Sequence, residues 1–256
     1  MLPALNHKGS RLFLILGCFF VANALIAECI GVKIFSLEKT LGIIPSGIKL
    51  FGVEGLSFNL TAGVLLWPLL FVMTDIVNEY YGRRGVMLLS TIAAVLIAYA
   101  FLMFFLSIAL PPADFWVTYQ SERGVPNMQN AFGAVFGQGM WIIVGSLVAF
   151  VIGQIVDVLV FHRLKAITGE RWLWLRANGS TLVSQLLDSF VVLFIAFYIG
   201  AGWSFETVLA IGVLNYLYKF SAALVLTPLL YFTHHWIDGY LGADLAAQMR
   251  KAAMQK

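Results

Sequence analysis

The chain has 256 residues, of which 61% are hydrophobic and 11% charged, and its mean hydropathy is +0.89. A soluble domain carries roughly 25% charged residues, so these values exclude a water-soluble globule and indicate an integral membrane protein. The net charge of +3 is too small to mark a nucleic-acid surface and is read as membrane topology.

A spanning helix needs roughly 20 mainly apolar residues. Six segments qualify: 11–35, 60–81, 86–110, 134–162, 179–202 and 207–233. The expected fold is an all-α integral membrane protein of six transmembrane helices in a single domain, 1–256. The runs are too long and continuous for barrel strands. Lys8 and Arg11 before LFLILGCFF, with Ala22-Asn23-Ala24 behind it, imitate a secretion signal. The apolar stretch runs on to Phe35, longer than a signal core, and is therefore read as the first span. Cys18 and Cys29 lie in it, about 16 Å apart along one helix. That is too far for a disulfide and no metal spacing, so both are expected to be small buried apolar residues.

With the N-terminus in the cytoplasm, eleven basic residues fall inside: Lys8, Arg11, Arg83, Arg84, Arg163, Lys165, Arg171, Arg176, Arg250, Lys251 and Lys256. Four fall outside: Lys33, Lys39, Lys49 and Arg123. This bias predicts cytoplasmic termini at both ends. The first outer segment, 36–59, sets strand-like residues among four glycines and one proline, which predicts a short hairpin. The second, 111–133, carries Trp116 and Tyr119 as interface anchors. The tail from Ala243 reads as a short polar helix or a frayed end.

Charge within a bilayer costs roughly 2.5–3.5 kcal/mol per residue, yet Glu28, Asp75, Glu79, Asp157, Asp188 and Lys219 all lie in apolar segments. Counted at 1.5 Å per residue, Asp75, Asp157 and Asp188 stand roughly 12, 9 and 18 Å above the inner boundary, and Lys219 about 20 Å from the outer one. These four are expected to meet in the middle of one bundle. Glu28, about 25 Å up, lies nearer the outer mouth. Glu79 stands one turn from Arg83, a natural ion-pair partner. The bland alternative for the whole set is structural ion pairing. Gln154-Ile-Val-Asp157 and Gln185-Leu-Leu-Asp188 repeat one pattern, with amide and carboxylate on the same helix face. The histidines, His7, His162, His234 and His235, fall in tails or at the inner boundary. Neither a nucleophilic nor a metal site is expected, and no cofactor. The chain is expected not to be an enzyme.

The stretch Thr74-Asp75-Ile76-Val77-Asn78-Glu79-Tyr80-Tyr81-Gly82 resembles the signature of the bacterial queuosine precursor transporters, earlier catalogued as vitamin-uptake proteins. Three further blocks follow in the same order. They are Gly153 to Asp157 with Phe161 to Lys165; Trp174 to Arg176 with Ser180, Thr181 and Ser184 to Ser189; and Asn215 to Lys219. The likeness spans roughly residues 15–235. It implies a multi-pass protein of the bacterial inner membrane that imports 7-cyano-7-deazaguanine and 7-aminomethyl-7-deazaguanine for queuosine synthesis in tRNA. The implied partners are that small molecule and membrane lipid, with no nucleic acid; a homodimer is left open. The candidate substrate site, taken from these blocks together with the intramembrane polar residues, comprises Glu28, Asp75, Asn78, Gln154, Asp157, Gln185, Asp188, Tyr218 and Lys219.

The chemistry of a 7-deazaguanine fits such a site. Its N1–H and exocyclic amine are neighbouring donors, which one carboxylate accepts as a fork. A Gln amide donates to O6, and an aromatic face such as Tyr218 or Phe220 stacks on the ring at roughly 1–3 kcal/mol. Lys219 offsets the desolvation cost of an unoccupied acid. Asp188 with Gln185 is the expected reader, Asp157 with Gln154 the alternative, and Asp75 then serves gating. One rival, a non-transporting membrane scaffold, is opposed by the clustered mid-bundle charge. Two other rival functions are a substrate-capture subunit of an energy-coupling-factor vitamin importer and a proton-coupled porter for another nucleobase or vitamin, with Asp75 or Asp157 as the relay. The first helix, VANALIAEC, lacks the Ala-x-x-x-Ala docking spacing of the former. No Walker motif is present, so ATP coupling would need a partner.

Overall fold

The computed structural model describes residues 7–45, 47–168 and 172–254; Arg171 and Lys256 lie outside them. The first helix, α1 (Lys8–Ile30), buries Leu12, Leu16, Phe20, Ala24 and Ala27 along one stripe and leaves Leu14, Ile15, Phe19 and Ile26 exposed. A helix apolar on every side with one packed stripe is what lipid on the other side requires. Cys18 is exposed and Cys29 half-buried, both free, so the expectation that they are buried is corrected: Cys18 falls on the unpacked face. The helix ends at Ile30 rather than near 35, because residues 34–36 pair as a strand instead.

Between α1 and the next long helix lie β1 (Ile34–Ser36), the single turn α2 (Leu37–Thr40), β2 (Ile48–Leu50), β3 (Val53–Leu56) and β4 (Asn59–Thr61). Strands β1 and β4 pair antiparallel, with Phe35 opposite Leu60, and β2 pairs β3. The β2–β3 turn sits at Phe51 and Gly52, both at positive φ (50° and 82°), the two-residue geometry that matches strand twist. The expected hairpin is therefore present, bracketed by a second strand pair. Glu38 holds the segment together, since its Oε1 accepts from Phe58 N at 2.8 Å and its Oε2 from Ser36 Oγ at 3.1 Å.

Helix α3 (Trp67–Ala109) starts later than the apolar run at 60 suggested, after β4 and a 3-10 turn at Ala62–Leu65. It breaks at Gly82, with φ 71° and ψ −173°, a region open essentially to glycine alone. Thr74 and Ser90 lie eight residues to either side of Gly82. On a straight helix they would stand about 24 Å apart. Instead both hydroxyls donate to the same Gln154 Oε1, at 3.4 and 3.0 Å. The helix thus folds back on itself as two arms, 67–81 and 83–109, with Gly82 at the elbow.

The chain continues through α4 (Asp114–Val117), α5 (Met128–Phe136), α6 (Met140–Thr168) and α7 (Leu173–Leu193), which runs into a π-helical turn at Phe194–Ile199. It ends with α8 (Phe205–Leu241) and α9 (Ala243–Met254). The tail expected as polar helix or frayed end is an ordered helix, with Ala246 and Ala253 buried. Among the described residues five helices are long and apolar enough to cross a membrane: Lys8–Ile30, Trp67–Ala109, Met128–Thr168, Trp174–Ile199 and Phe205–Leu241.

One end of the bundle gathers both chain ends. Tyr81 OH donates to Gly9 O at 2.7 Å, Lys8 Nζ to Tyr240 O at 2.9 Å, and Arg250 Nη1 to Asp238 Oδ1 at 2.6 Å. A Cβ on Gly82 would stand 2.8 Å from Ala253 O, so α9 lies directly against the elbow.

Candidate functional site

The stretch 74–82 is the hub of the molecule. It forms the last two turns of the first α3 arm, and its polar side chains reach α1, α6, α7 and α8. Thr74 meets Gln154 on α6. Tyr80 OH donates to Asp238 Oδ1 on α8 at 2.8 Å, and Tyr81 reaches α1. Glu79 takes two cations: Arg176 Nη2 on α7 at 2.8 Å and Lys165 Nζ on α6 at 3.0 Å, all three side chains 2% exposed. The expected Glu79–Arg83 pair is not what forms. Gly82 interrupts the helix between them, and the sequence-remote cations take the carboxylate. Lys165 and Arg176, read as inner-loop charges, are in fact buried.

Beside this cluster, between the first α3 arm, α7 and α8, lies a cavity with about 30 Å³ of water-accessible space. Trp67, Phe71 and Tyr218 supply its aromatic walls. Asp75, Gln185 and Lys219 supply its polar lining, together with Asn178, Thr181 and Thr227. Asn178 Nδ2 donates to Thr227 Oγ1 at 2.9 Å, which ties α7 to α8 across the cavity wall. Asp75 Oδ1 and Gln185 Nε2 are buried and have no hydrogen-bond partner among the described residues. One cavity with apolar, aromatic walls thus holds an unpaired buried acceptor and an unpaired buried donor, groups that call for a bound partner.

The structure divides the expected site residues. Asp75, Gln185, Tyr218 and Lys219 line the cavity. Asp188 adjoins it through an ion pair with Lys219. Asp157 is fully buried behind it, its Oδ1 accepting from Ser184 Oγ at 3.3 Å. Asn78 is fully buried one turn beyond Asp75. Gln154 staples the two arms of α3. Glu28 stands apart, its Oε2 accepting from Ser146 Oγ at 3.1 Å and its carbonyl from Gln138 Nε2 at 3.1 Å. Phe220 packs near Tyr216 rather than at the cavity. The two Gln-x-x-Asp motifs do not share one pocket: Gln154 turns to α3 and Gln185 to the cavity. Helices α6 and α7 are nonetheless close here, since a Cβ on Gly153 would lie 3.7 Å from Asp188 Cβ and Ser184 donates to Asp157.

Sequence reasoning missed Trp67, Phe71, Asn178, Thr181 and Thr227. A signal existed, since Asn178, Thr181 and Gln185 fall three and four apart, one helical stripe, and Trp67 and Phe71 stand one turn apart.

A family profile described as "Putative vitamin uptake transporter" matches residues 61–233. A "Probable queuosine precursor transporter" of Bacillus subtilis is 32% identical over 193 residues, covering 72% of this chain and 73% of that protein. One of Haemophilus influenzae is 26% identical over 228 residues, covering 88% and 87%. A "Queuosine precursor transporter" of Escherichia coli is 30% identical over 149 residues, covering 57% and 59%. No solved structure matches the chain significantly. The long apolar helices and these likenesses make it a multi-pass transporter of the bacterial inner membrane. The chain belongs to the queuosine precursor transporter family.

Proposed function

We propose that this protein imports the queuosine precursors 7-cyano-7-deazaguanine and 7-aminomethyl-7-deazaguanine. The observation that carries the reading is the cavity, where an acid, an amide and aromatic faces converge: Asp75, Gln185, and Trp67, Phe71 and Tyr218. The fork of N1–H and exocyclic amine pairs with the Asp75 carboxylate, whose Oδ1 is unpartnered. Gln185 Nε2 donates to O6. The reader's role passes from Asp188 to Asp75 because Lys219 already engages Asp188. About 30 Å³ holds one or two waters and is smaller than a bicyclic base, so the cavity widens to admit substrate, as alternating access requires.

Six crossings with both termini in the cytoplasm complete the reading. The fold-back at Gly82 turns five long helices into six passes. The end that gathers the termini also carries Lys8, Arg11, Arg83, Arg84, Arg250 and Lys251, the inner side by the positive-inside rule. The test is uptake of labelled 7-cyano-7-deazaguanine into proteoliposomes. Uptake that saturates, that unlabelled 7-aminomethyl-7-deazaguanine competes away and that adenine does not affect is expected. Uptake no faster than in protein-free vesicles removes the proposal.

A further inference from the structure

On the inner side of the cavity, toward Glu79, three side chains leave polar atoms without partners. Asp75 Oδ1, both side-chain polar atoms of Asn78, and Asp157 Oδ2 have no hydrogen-bond partner among the described residues. Asp75 is 4% exposed, and Asn78 and Asp157 are fully buried. The Thr74–Gln154 contact sets the first α3 arm against α6 at this level, with Asp75 the residue after Thr74 and Asp157 one helical turn after Gln154, so the two acids lie within electrostatic reach of each other. Glu79 on the same helix and Arg176 on α7 are the other charges acting on Asp75, and Lys219 on α8 shares the cavity wall. The cations have their own carboxylates: Lys165 and Arg176 converge on Glu79, and Lys219 on Asp188. Among the described groups of this buried cluster, Asp75, Asp157 and Glu79 face Lys165 and Arg176, which leaves one negative charge over while His162 on α6 and His234 on α8, which also interact with Glu79, are neutral.

We propose that Asp75 and Asp157 hold one proton between them and that this proton crosses the membrane with the substrate, so that import is proton-coupled. The inference rests on the import reading above. Two buried carboxylates that each leave an oxygen unpartnered and that form no ion pair among the described residues stabilise a shared proton, and paired acids of this kind are how membrane proteins relay protons. A protonated carboxyl becomes a donor, so its O–H satisfies one of the orphaned oxygens while Asn78 Nδ2 satisfies another. A metal cation fits less well. Hard cations take about six or more oxygens, Asp75, Asn78 and Asp157 together leave three orphaned, Glu79 Oε2 already faces Lys165 Nζ, and no group of three or more His, Cys, Asp or Glu among the described residues is arranged to hold a metal.

Coupling follows from what reads the base. To accept from N1–H and the amine, Asp75 must be ionised, so substrate binding fixes the proton on Asp157. The closed, loaded cluster is then neutral. With neither acid protonated, the excess charge opposes closure over the substrate. One O–H bond forms from the outer side and the same bond breaks to the inner side. Each cycle moves one neutral base and one positive charge, and no other reactant is needed.

The test uses the full chain in sodium-free proteoliposomes with labelled 7-cyano-7-deazaguanine, after binding in detergent has been measured. An outside-acid gradient of one pH unit is expected to raise accumulation about tenfold over equilibrium, the equivalent of one proton per substrate. An inside-negative potential of about 60 mV should do the same. Asp157→Asn should leave any remaining exchange unresponsive to either gradient. Wild-type exchange that equilibrates without accumulating, whatever the gradient, overturns the coupling and leaves the import reading standing. Accumulation that follows a sodium gradient and ignores pH overturns it in favour of sodium. Absence of wild-type binding removes both readings.

Discussion

The ammonium of Lys219 on α8 lies on Oδ2 of Asp188 on α7, at the edge of the cavity that Lys219 itself lines. The contact neutralises a cation that would otherwise face Asp75 across the same space. Removing Asp188 therefore does more than delete an acid. In Asp188→Asn the ammonium is expected to swing toward Asp75 and occupy the carboxylate that reads the base. Affinity should fall about tenfold, equivalent to roughly 1.4 kcal/mol. Replacing Lys219 as well should recover most of it. Equilibrium binding of 7-cyano-7-deazaguanine to Asp188→Asn and to Asp188→Asn/Lys219→Met checks this. A double variant no better than the single one shows that Lys219 does not compete for Asp75.

Glu79 carries two buried cations, and the order of damage from its neighbours is set by that arithmetic. Glu79→Gln leaves Lys165 and Arg176 facing each other in the dry interior, a change worth about 3–5 kcal/mol. Lys165→Gln leaves Arg176 on the carboxylate and should cost less. Thermal unfolding in detergent is expected to rank wild type above Lys165→Gln, and Lys165→Gln above Glu79→Gln. The reverse order of the two variants contradicts the shared-carboxylate arrangement.

At Gly82 two independent penalties await a side chain. The backbone is in a region that costs an ordinary residue roughly 1–3 kcal/mol, and a Cβ would meet Ala253 O at 2.8 Å. Gly82→Ala should therefore lower the unfolding temperature in the full chain. In a chain ending at Gly242 the clash is gone and the backbone penalty stays, so the substitution should cost less there. Equal losses in both backgrounds mean that α9 does not press on the elbow.

How far all this was legible depends on how a residue contrasts with its neighbours in the chain. Acids in apolar runs stand out at once, but of the three only Asp75 lines the cavity; Asp188 adjoins it through Lys219 and Asp157 is buried behind it. The hairpin was legible because strand-like residues sit among four glycines and a proline in 36–59, although Phe51 at the turn takes a positive φ that its residue type does not announce. Lys165 and Arg176 were hidden for the opposite reason. They end apolar runs, where a basic residue reads as a cytoplasmic anchor, and only the fold shows Glu79 pulling both inside. The start of α3 was hidden because a membrane-facing strand, a 3-10 turn and a helix are equally apolar, so 60–66 and 67–73 look alike. Cys18 was misjudged because in lipid an exposed position is as apolar as a buried one. The cavity's Asn178, Thr181 and Thr227 were passed over because hydroxyls and amides on a helix stripe carry far less contrast than charges.

Topology has a direct check. In a background with Cys18 and Cys29 replaced by alanine, Pro45→Cys should react with an impermeant maleimide added outside intact cells, and Thr168→Cys only after the inner side is exposed. Residue 45 precedes the β2–β3 hairpin, and residue 168 ends α6 beyond Lys165. The opposite labelling pattern inverts the protein in the membrane and with it the direction of the proton proposal.

The last prediction concerns which acid reads the base. Asp75 is the carboxylate on the cavity wall, and its Oδ1 is buried without a partner. Asp157 lies behind it, held by Ser184, and Asp188 is held by Lys219. Asp75→Asn keeps the volume and turns one acceptor into a donor aimed at the donors of the base. A buried mismatch of that kind costs about 1–3 kcal/mol, more where a charged acceptor is lost, so affinity should fall at least about tenfold. The discriminating comparison is chemical. Hypoxanthine-like 7-deaza analogues keep N1–H and O6 and lack the exocyclic amine, so they lose half of the fork. Wild type should prefer the guanine-like ligand by about tenfold or more, and Asp75→Asn should bind both weakly and nearly equally. Asp157→Asn and Asp188→Asn should keep the preference even where they weaken binding. If Asp75→Asn still discriminates the two ligands while Asp188→Asn does not, the reading belongs to Asp188, and Asp75 is left with the proton alone.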